Sequence, residues 1–346
     1  MDWLSGRIDQ PDQIHYRKAL DKQAQLTKPQ GSLGQMEDIA VRLAAMQKTE
    51  RPAINKVWVS VFAADHGIAD ESVSAFPQVV TAEMVKNFAN DGAAVNVLSR
   101  FVNANFEVID VGLVVAVEAT SVISERAGNG TENFAIQAAM TKKQMQSALI
   151  SGKSAVQRAI QYQADLFVAG EMGIANTTSA SAIAATLIAV PVEQLTGAGT
   201  GLVSEQIEHK TQIIEAAIKF HQKFLENPLK VLQYLGGFEI AALVGAYIFS
   251  AQQGIPVLVD GFIASVAALL AIKINPGTQN WFIYAHCSQE KGHQRVLEEL
   301  DAKPLLDLNM RLGEASGAVI AVPLLQMACK LHNEMATFQQ AKITIK

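Results

Sequence analysis
The chain is poor in the residues that carry metal, disulfide and nucleic-acid chemistry. Its 346 residues include only two cysteines, Cys287 and Cys329, far apart and outside any CxxC spacing. That excludes a disulfide framework and a zinc knuckle. Seven histidines are scattered without an HxxxH pair, so Asp65-His66 finds no second ligand at metal spacing and no metal is expected. Lys and Arg number 28 against 33 Asp and Glu, a net charge of -5, and they form no cluster. An electrostatic grip on nucleic acid or anionic lipid is thereby excluded. Apolar runs such as 240–250 and 263–272 fall short of the roughly 18 residues that span a bilayer, so no integral membrane segment is expected. They read as buried helices. The start, MDWLSGRIDQPDQ, has neither the basic beginning nor the apolar core of a secretion signal, and a reducing cytoplasm is the expected location. No GK[ST] follows the glycine-broken stretch 170–173, and no GxGxxG follows the first apolar run, which argues against a P-loop and a nicotinamide-dependent oxidoreductase.

What is present is apolar and periodic. With 49% hydrophobic residues the chain can bury a sizeable core. From 13 to about 49 apolar residues recur at helical spacing, interrupted by KPQGSLG at 28–34, which predicts two helices and an elbow. From 56 onward short runs alternate with helical patterns: VWVSVFAA (57–64), FEVIDVG (106–112), DLFVAG (165–170), PVLVDG (256–261) and WFIYAH (281–286). Such alternation predicts βαβ units, hence a doubly wound, mostly parallel, Rossmann-like α/β sheet covered on both faces. AVIAVPLLQMACKLHNEMATF (318–338) returns to helical spacing. A smaller helical domain built from 1–50 and 317–346 is expected beside a large α/β domain, 51–316.

Each predicted strand runs into polar and glycine residues, among them DHGIADESVSAFPQ, EMGIANTT and CSQEKGH. In an open parallel sheet these ends share one edge, where ligands bind. At 165–185 Asn176, Thr177 and Thr178 stand where a helix should begin, and a helix N-terminus favours an anion. Glu171 beside a phosphate makes sense if it faces a cationic or proton-giving part of the same ligand. The plainer alternative makes Thr177 an N-cap and Glu171 a surface acid. GAGTG (197–201), ahead of Lys210, is either a second phosphate cradle or a glycine-rich connection. Cys287 directly follows His286, and neighbours on a strand face opposite ways, which argues against a Cys-His catalytic pair. Near the end, LNMRLGEASGA (308–318) sets Arg311 and Glu314 among small and apolar residues. Either they form a solvated salt bridge, or Glu314 lies in a partly apolar pocket that raises its pKa enough for it to act as a base.

Eight stretches in one order, KPQGSLGQME, ADHGIADESVSAFPQVVTAEMVKNF, GEMGIANTTSASA, GAGTG, LGGFEIAALVGA, PVLVDGFIAS, HCSQEKGH and RLGEASGA, resemble the nicotinate-nucleotide:dimethylbenzimidazole phosphoribosyltransferases. The resemblance runs from about 26 to the C-terminus. It implies transfer of phosphoribose from nicotinate mononucleotide to a benzimidazole, without a cofactor, in an enzyme that is a homodimer with small-molecule substrates. By the same resemblance Glu314 is the general base, Glu171 a second essential acid and Lys210 a catalytic-site cation. Gly173, Ile174, Asn176, Thr177, Thr178, Gly199, Gly201, Ser288 and Arg311 would hold the nucleotide and its phosphate. Phe76, Pro77, Gln78, Met84, Leu312 and Gly313 would shape the base pocket. Ala175 and Ala315 replace glycines frequent in relatives, and alanine is expected to be tolerated there at negative φ. The rivals are a phosphoribosyltransferase using phosphoribosyl pyrophosphate, for which Asp110 lacks an acidic partner, and a non-catalytic nucleotide-binding or sensing protein. The second would be favoured by a solvent-exposed Glu314 paired with a lysine away from the cleft.

Overall fold
A computed structural model describes residues 2–199 and 201–344. Thr200 of the second glycine cluster, and the ends of the expected helical domain, Met1, Ile345 and Lys346, lie outside the described residues. Six strands, β1 (Val57–Ala64), β2 (Asn105–Gly112), β3 (Val122–Ser124), β4 (Leu166–Met172), β5 (Val257–Val259) and β6 (Phe282–Tyr284), join in one sheet. The order is β3-β2-β1-β4-β5-β6, and every pairing is parallel. This is the doubly wound arrangement, whose strand order reverses between β1 and β4 and opens a crevice there.

The pleat assigns alternate side chains to opposite faces. From β1, Trp58 and Phe62 enter a core with the helices Lys142–Gln161, Phe238–Gln253 and Phe262–Ile274. Val57, Val59, Val61 and Ala63 enter the other core, with the helices Gln35–Gln47 and Ser316–Glu334. All eight β1 residues are buried, which explains an apolar run without polar alternation. The N-terminal helices Gln13–Gln25 and Gln35–Gln47 flank an elbow whose buried Lys28 Nζ lies 2.8 Å from Glu37 Oε2. Ile39, Leu43 and Met46 share one apolar cluster with Val322 and Leu325 of Ser316–Glu334 and with the sheet. Among the described residues no helix is long and apolar enough to cross a membrane.

Three strand boundaries differ from expectation. β4 continues to Met172, so Glu171 lies within the strand, opposite Phe62, and not in the following loop. β5 and β6 shrink to three residues each, leaving Asp260 and His286 beyond their ends. β3 was not foreseen, because two half-buried residues and one exposed residue at a sheet edge leave no periodic trace.

Candidate active site
The carboxyl ends of β4, β5 and β6, joined by the loop after β1, enclose a cavity of about 260 Å³. One end is built to accept an anion. Asn176–Ile188 begins there, its positive dipole end facing the cavity wall formed by Gly173, Ile174, Asn176 and Thr177. The Ile174 N–H donates to the buried Thr81 hydroxyl at 3.1 Å, which fixes the loop before the helix. Lys210 Nζ donates to Thr177 Oγ1 at 2.7 Å. Lys210 is 1% exposed, and burial brings its pKa down to about 8 despite the opposing pull of Glu290. Gly199, Ser288 and Arg311 also line the cavity, and Arg311 Nη1 donates to the Gly199 carbonyl at 3.4 Å. His293 holds Ser288 from behind. Burial pushes its pKa down to about 3, so the neutral ring accepts the Ser288 N–H on Nδ1 at 2.8 Å and, in that tautomer, donates from Nε2 to Ser265 Oγ at 2.9 Å.

The other end is acidic. Glu171 is buried, and its pKa is driven far above the usual range by burial first, then by Glu239, Asp260 and Glu314, while an Asn176 Nδ2–H to Oε2 hydrogen bond opposes the rise. Glu314 is 6% exposed, so the exposure that would have favoured the sensing-protein rival is absent. Burial, with help from Asp260, lifts its pKa to about 7. Glu314 directly follows the lining residues Leu312 and Gly313 in the chain and is not a lining residue itself. Carboxylates this close cannot all ionise cheaply without a cation, and a ligand bearing positive charge or an acidic proton relieves them.

The backbone at Glu314 is strained. Gly313, Glu314 and Ala315 have φ of 82°, 63° and 65°, a run of left-handed residues leading into Ser316–Glu334. This turn lies on β4 at Gly170, where a Cβ would come within 2.3 Å of the Ala315 nitrogen. The expectation of negative φ at the two alanines is therefore wrong: Ala175 (74°) and Ala315 (65°) are both left-handed caps of helices. Each carries a cost of about 1–3 kcal/mol that the packing around it must offset.

Of the residues singled out from sequence, Glu171, Gly173, Ile174, Asn176, Thr177 and Gly199 line this cavity, as do Ser288, Arg311, Phe76, Leu312 and Gly313. Lys210 stands one bond behind Thr177. Thr178 lies fully buried in the helix, and its hydroxyl has no hydrogen-bond partner among the described residues. Pro77, Gln78, Met84 and Gly201 are not among the lining residues. Gln78 Nε2 donates instead to the His66 carbonyl at 2.9 Å, and Met84 packs against the sheet core on the helix Gln35–Gln47 side. Asp260, His286 and Glu290 line the cavity unforeseen. Asp260 and His286 were placed inside the predicted strands 256–261 and 281–286, and their polarity at the ends of apolar runs was the available signal.

A doubly wound sheet whose switch-point cavity joins an anion cradle to a set of proton-holding carboxylates defines a nucleotide-handling α/β enzyme. A family model described as phosphoribosyltransferase matches residues 8–343. A protein of Ectopseudomonas mendocina is 49% identical over 344 residues, covering 99% of this chain and 98% of that protein. One of Pseudomonas syringae is 52% identical over 325 residues, covering 94% and 93%. Both are named nicotinate-nucleotide--dimethylbenzimidazole phosphoribosyltransferase. The crystal structure of the enzyme of that name from Thermus thermophilus superposes with a TM-score of 0.92 at 39% identity, covering 97% of this chain and 100% of that one. The chain belongs to the nicotinate-nucleotide:dimethylbenzimidazole phosphoribosyltransferase family.

Proposed function
We propose that this chain transfers phosphoribose from nicotinate mononucleotide to 5,6-dimethylbenzimidazole or a related base, giving α-ribazole 5′-phosphate and nicotinate, with Glu314 as proton acceptor. The observation that carries this reading is one cavity with a lysine-backed anion cradle at one end and, beside the other, a carboxylate poised near neutrality. The donor is a pyridinium nucleoside phosphate. Its glycosidic nitrogen leaves with the bonding electron pair and becomes neutral, while a benzimidazole nitrogen forms the new bond to the anomeric carbon from the opposite face. The proton on the other benzimidazole nitrogen passes to Glu314. Glu171 and Asp260 favour the cationic ground state and the positive charge that develops on the sugar. Holding both reactants in line supplies much of the remaining acceleration.

The phosphate end rests on Lys210, Thr177 and Gly199, with Gly173, Ile174, Asn176, Ser288 and Arg311 around the nucleotide, and Phe76, Leu312 and Gly313 beside the incoming base. Lys210→Met keeps the bulk and removes the charge. It is expected to raise KM for nicotinate mononucleotide roughly 10–100-fold, the worth of one charged hydrogen bond, and to leave binding of the unphosphorylated riboside unchanged. Steady-state kinetics and a riboside titration check this.

The test of the reading is the pH profile of kcat/KM for nicotinate mononucleotide. Glu314 must be ionised, so the rate rises through about pH 7, and Lys210 must be charged, so it falls above about pH 8. A narrow bell between these values is expected. A profile that is flat or falling between pH 6 and 7 would remove Glu314 from the role. The same reading places the protein in the cytoplasm as a homodimer acting on small molecules without nucleic acid, and divides it into the helical unit 1–50 with 317–346 and the α/β unit 51–316.

A further inference from the structure
Asp260 belongs to no residue set that the resemblance supplies, yet it sits where the strained turn and the cavity meet. It follows β5, is 2% exposed and lines the cavity. Its Oδ1 accepts the Ala318 N–H at 2.7 Å, and the N–H groups of Gly261 and Ala315 face the carboxylate and favour its ionised form. Ala315 and Ala318 bracket the entry to Ser316–Glu334, so one carboxylate occupies the positive end of this helix together with the N–H of the residue after Glu314. Backbone N–H groups gathered by a left-handed turn form an anion-binding concavity, and here the anion is supplied by the chain itself.

His286 secures the carboxylate from the other side. Its Nε2 lies 3.7 Å from Asp260 Oδ1, and both side chains are 3% exposed. The ring lies flush on the first turn of the same helix, where a Cβ on Gly317 would come within 2.3 Å of Nε2. The last glycine of RLGEASG is thus explained by the imidazole above it. Holding Glu314 and Ala315 left-handed costs about 1–3 kcal/mol for each residue, and contacts specific to this turn must offset that.

We propose that Asp260, beside His286, is the positioning residue of the proton acceptor: it anchors the first turn of Ser316–Glu334 by the Ala318 N–H, directly after the left-handed turn 313–315, and so fixes where the Glu314 carboxylate stands. This inference rests on the assignment of Glu314 as acceptor. Asp260 also acts through its charge. The groups facing it are Glu171 from β4, His286 after β6, Tyr247 from Phe238–Gln253, and Glu314 itself. Glu314 in turn faces Asp260 and Glu171. Removing the Asp260 charge weakens the hold of Glu314 on its proton, so Glu314 ionises at lower pH and the acid limb of the rate moves down.

Asp260→Asn keeps a side-chain oxygen for the Ala318 N–H and removes the charge. In the full-length protein, kcat is expected to fall on the order of 100-fold, the cost of a reacting group displaced by about an ångström. KM for dimethylbenzimidazole is expected to change far less, and the acid limb of kcat to shift below that of the unaltered protein. A structural defect alone would lower activity without moving the limb. Glu314→Gln is run beside it. If Glu314→Gln abolishes transfer while Asp260→Asn retains normal kcat with an unmoved limb, the positioning role is overturned and the acceptor role stands. If Glu314→Gln retains full activity, both fall. Should Asp260→Asn not fold, His286→Gln carries the test: a loss in kcat several-fold greater than any change in KM supports the pair, and an unchanged kcat overturns it.

Discussion

Glu314→Gln is expected to lower the rate of phosphoribosyl transfer by about 10²–10⁴-fold, the usual contribution of a positioned proton acceptor. Glutamine preserves the shape, so KM for both substrates should remain within a few-fold of the unaltered protein, and the loss should appear in kcat. The rise of rate through about pH 7 should vanish with it, since that limb reports the ionisation of this carboxyl. The same substitution has an opposite consequence for stability. Because the folded protein raises the pKa of Glu314 from 4.5 to about 7, it binds the proton more tightly than the unfolded chain does. Its stabilising contribution is complete below about pH 4.5 and is lost as pH rises through about 7. At pH 8 an ionised, buried carboxylate is a net cost, and Glu314→Gln should be more stable than the parent by about 1–3 kcal/mol. Urea titrations at pH 5 and pH 8 check this, with the gain confined to the higher pH.

Gly170→Ala is expected to be nearly as damaging to activity, although residue 170 has no functional group. A methyl there would stand 2.3 Å from the Ala315 nitrogen and 2.6 Å from the Glu314 carbonyl carbon, distances that force the turn away from β4. Overpacking of this kind costs about 1–3 kcal/mol. The turn has little slack, being left-handed and joined directly to a helix that Asp260 anchors at Ala318. Displacing it carries Glu314 with it, and a loss of kcat of about 100-fold accompanies the lower Tm. Kinetics and thermal unfolding of the same preparation separate the two effects. A destabilised variant with undiminished kcat would show that the packing of the turn on β4 does not set the acceptor's position.

These two sites differ in how legible they were. Glu314 announces itself as an acid among glycines and apolar residues, and Glu171 as an acid at the end of an apolar run. The 57–64 run foretold β1 to the residue because a central parallel strand is buried on both faces and so reads as an apolar run, its one polar residue, Ser60, being bonded to Glu107. Asp260 and His286 carried only the weaker mark of a polar residue at the end of a run read as a strand. What makes them matter is adjacency to Glu314, which arises from βαβ crossovers that bring residues 260, 286 and 314 to one sheet edge, and sequence spacing contains no such distances. The conformation of Ala315 was misjudged for a related reason. A lone alanine avoids the left-handed region, and the carboxylate that anchors the helix it opens, at Ala318, lies 58 positions away. Pro77, Gln78 and Met84 were expected in the base pocket from the order of the motif, but the loop after β1 turns so that Phe76 alone among them reaches the cavity.

The most direct test of the account is the stoichiometry of nicotinate release from nicotinate mononucleotide by the intact protein, with and without 5,6-dimethylbenzimidazole. The account predicts release only when the base is present, with one α-ribazole 5′-phosphate formed for each nicotinate freed. Release at the same rate without the base, or nicotinate formed without the ribazole phosphate, would mean that water is the acceptor and would contradict it.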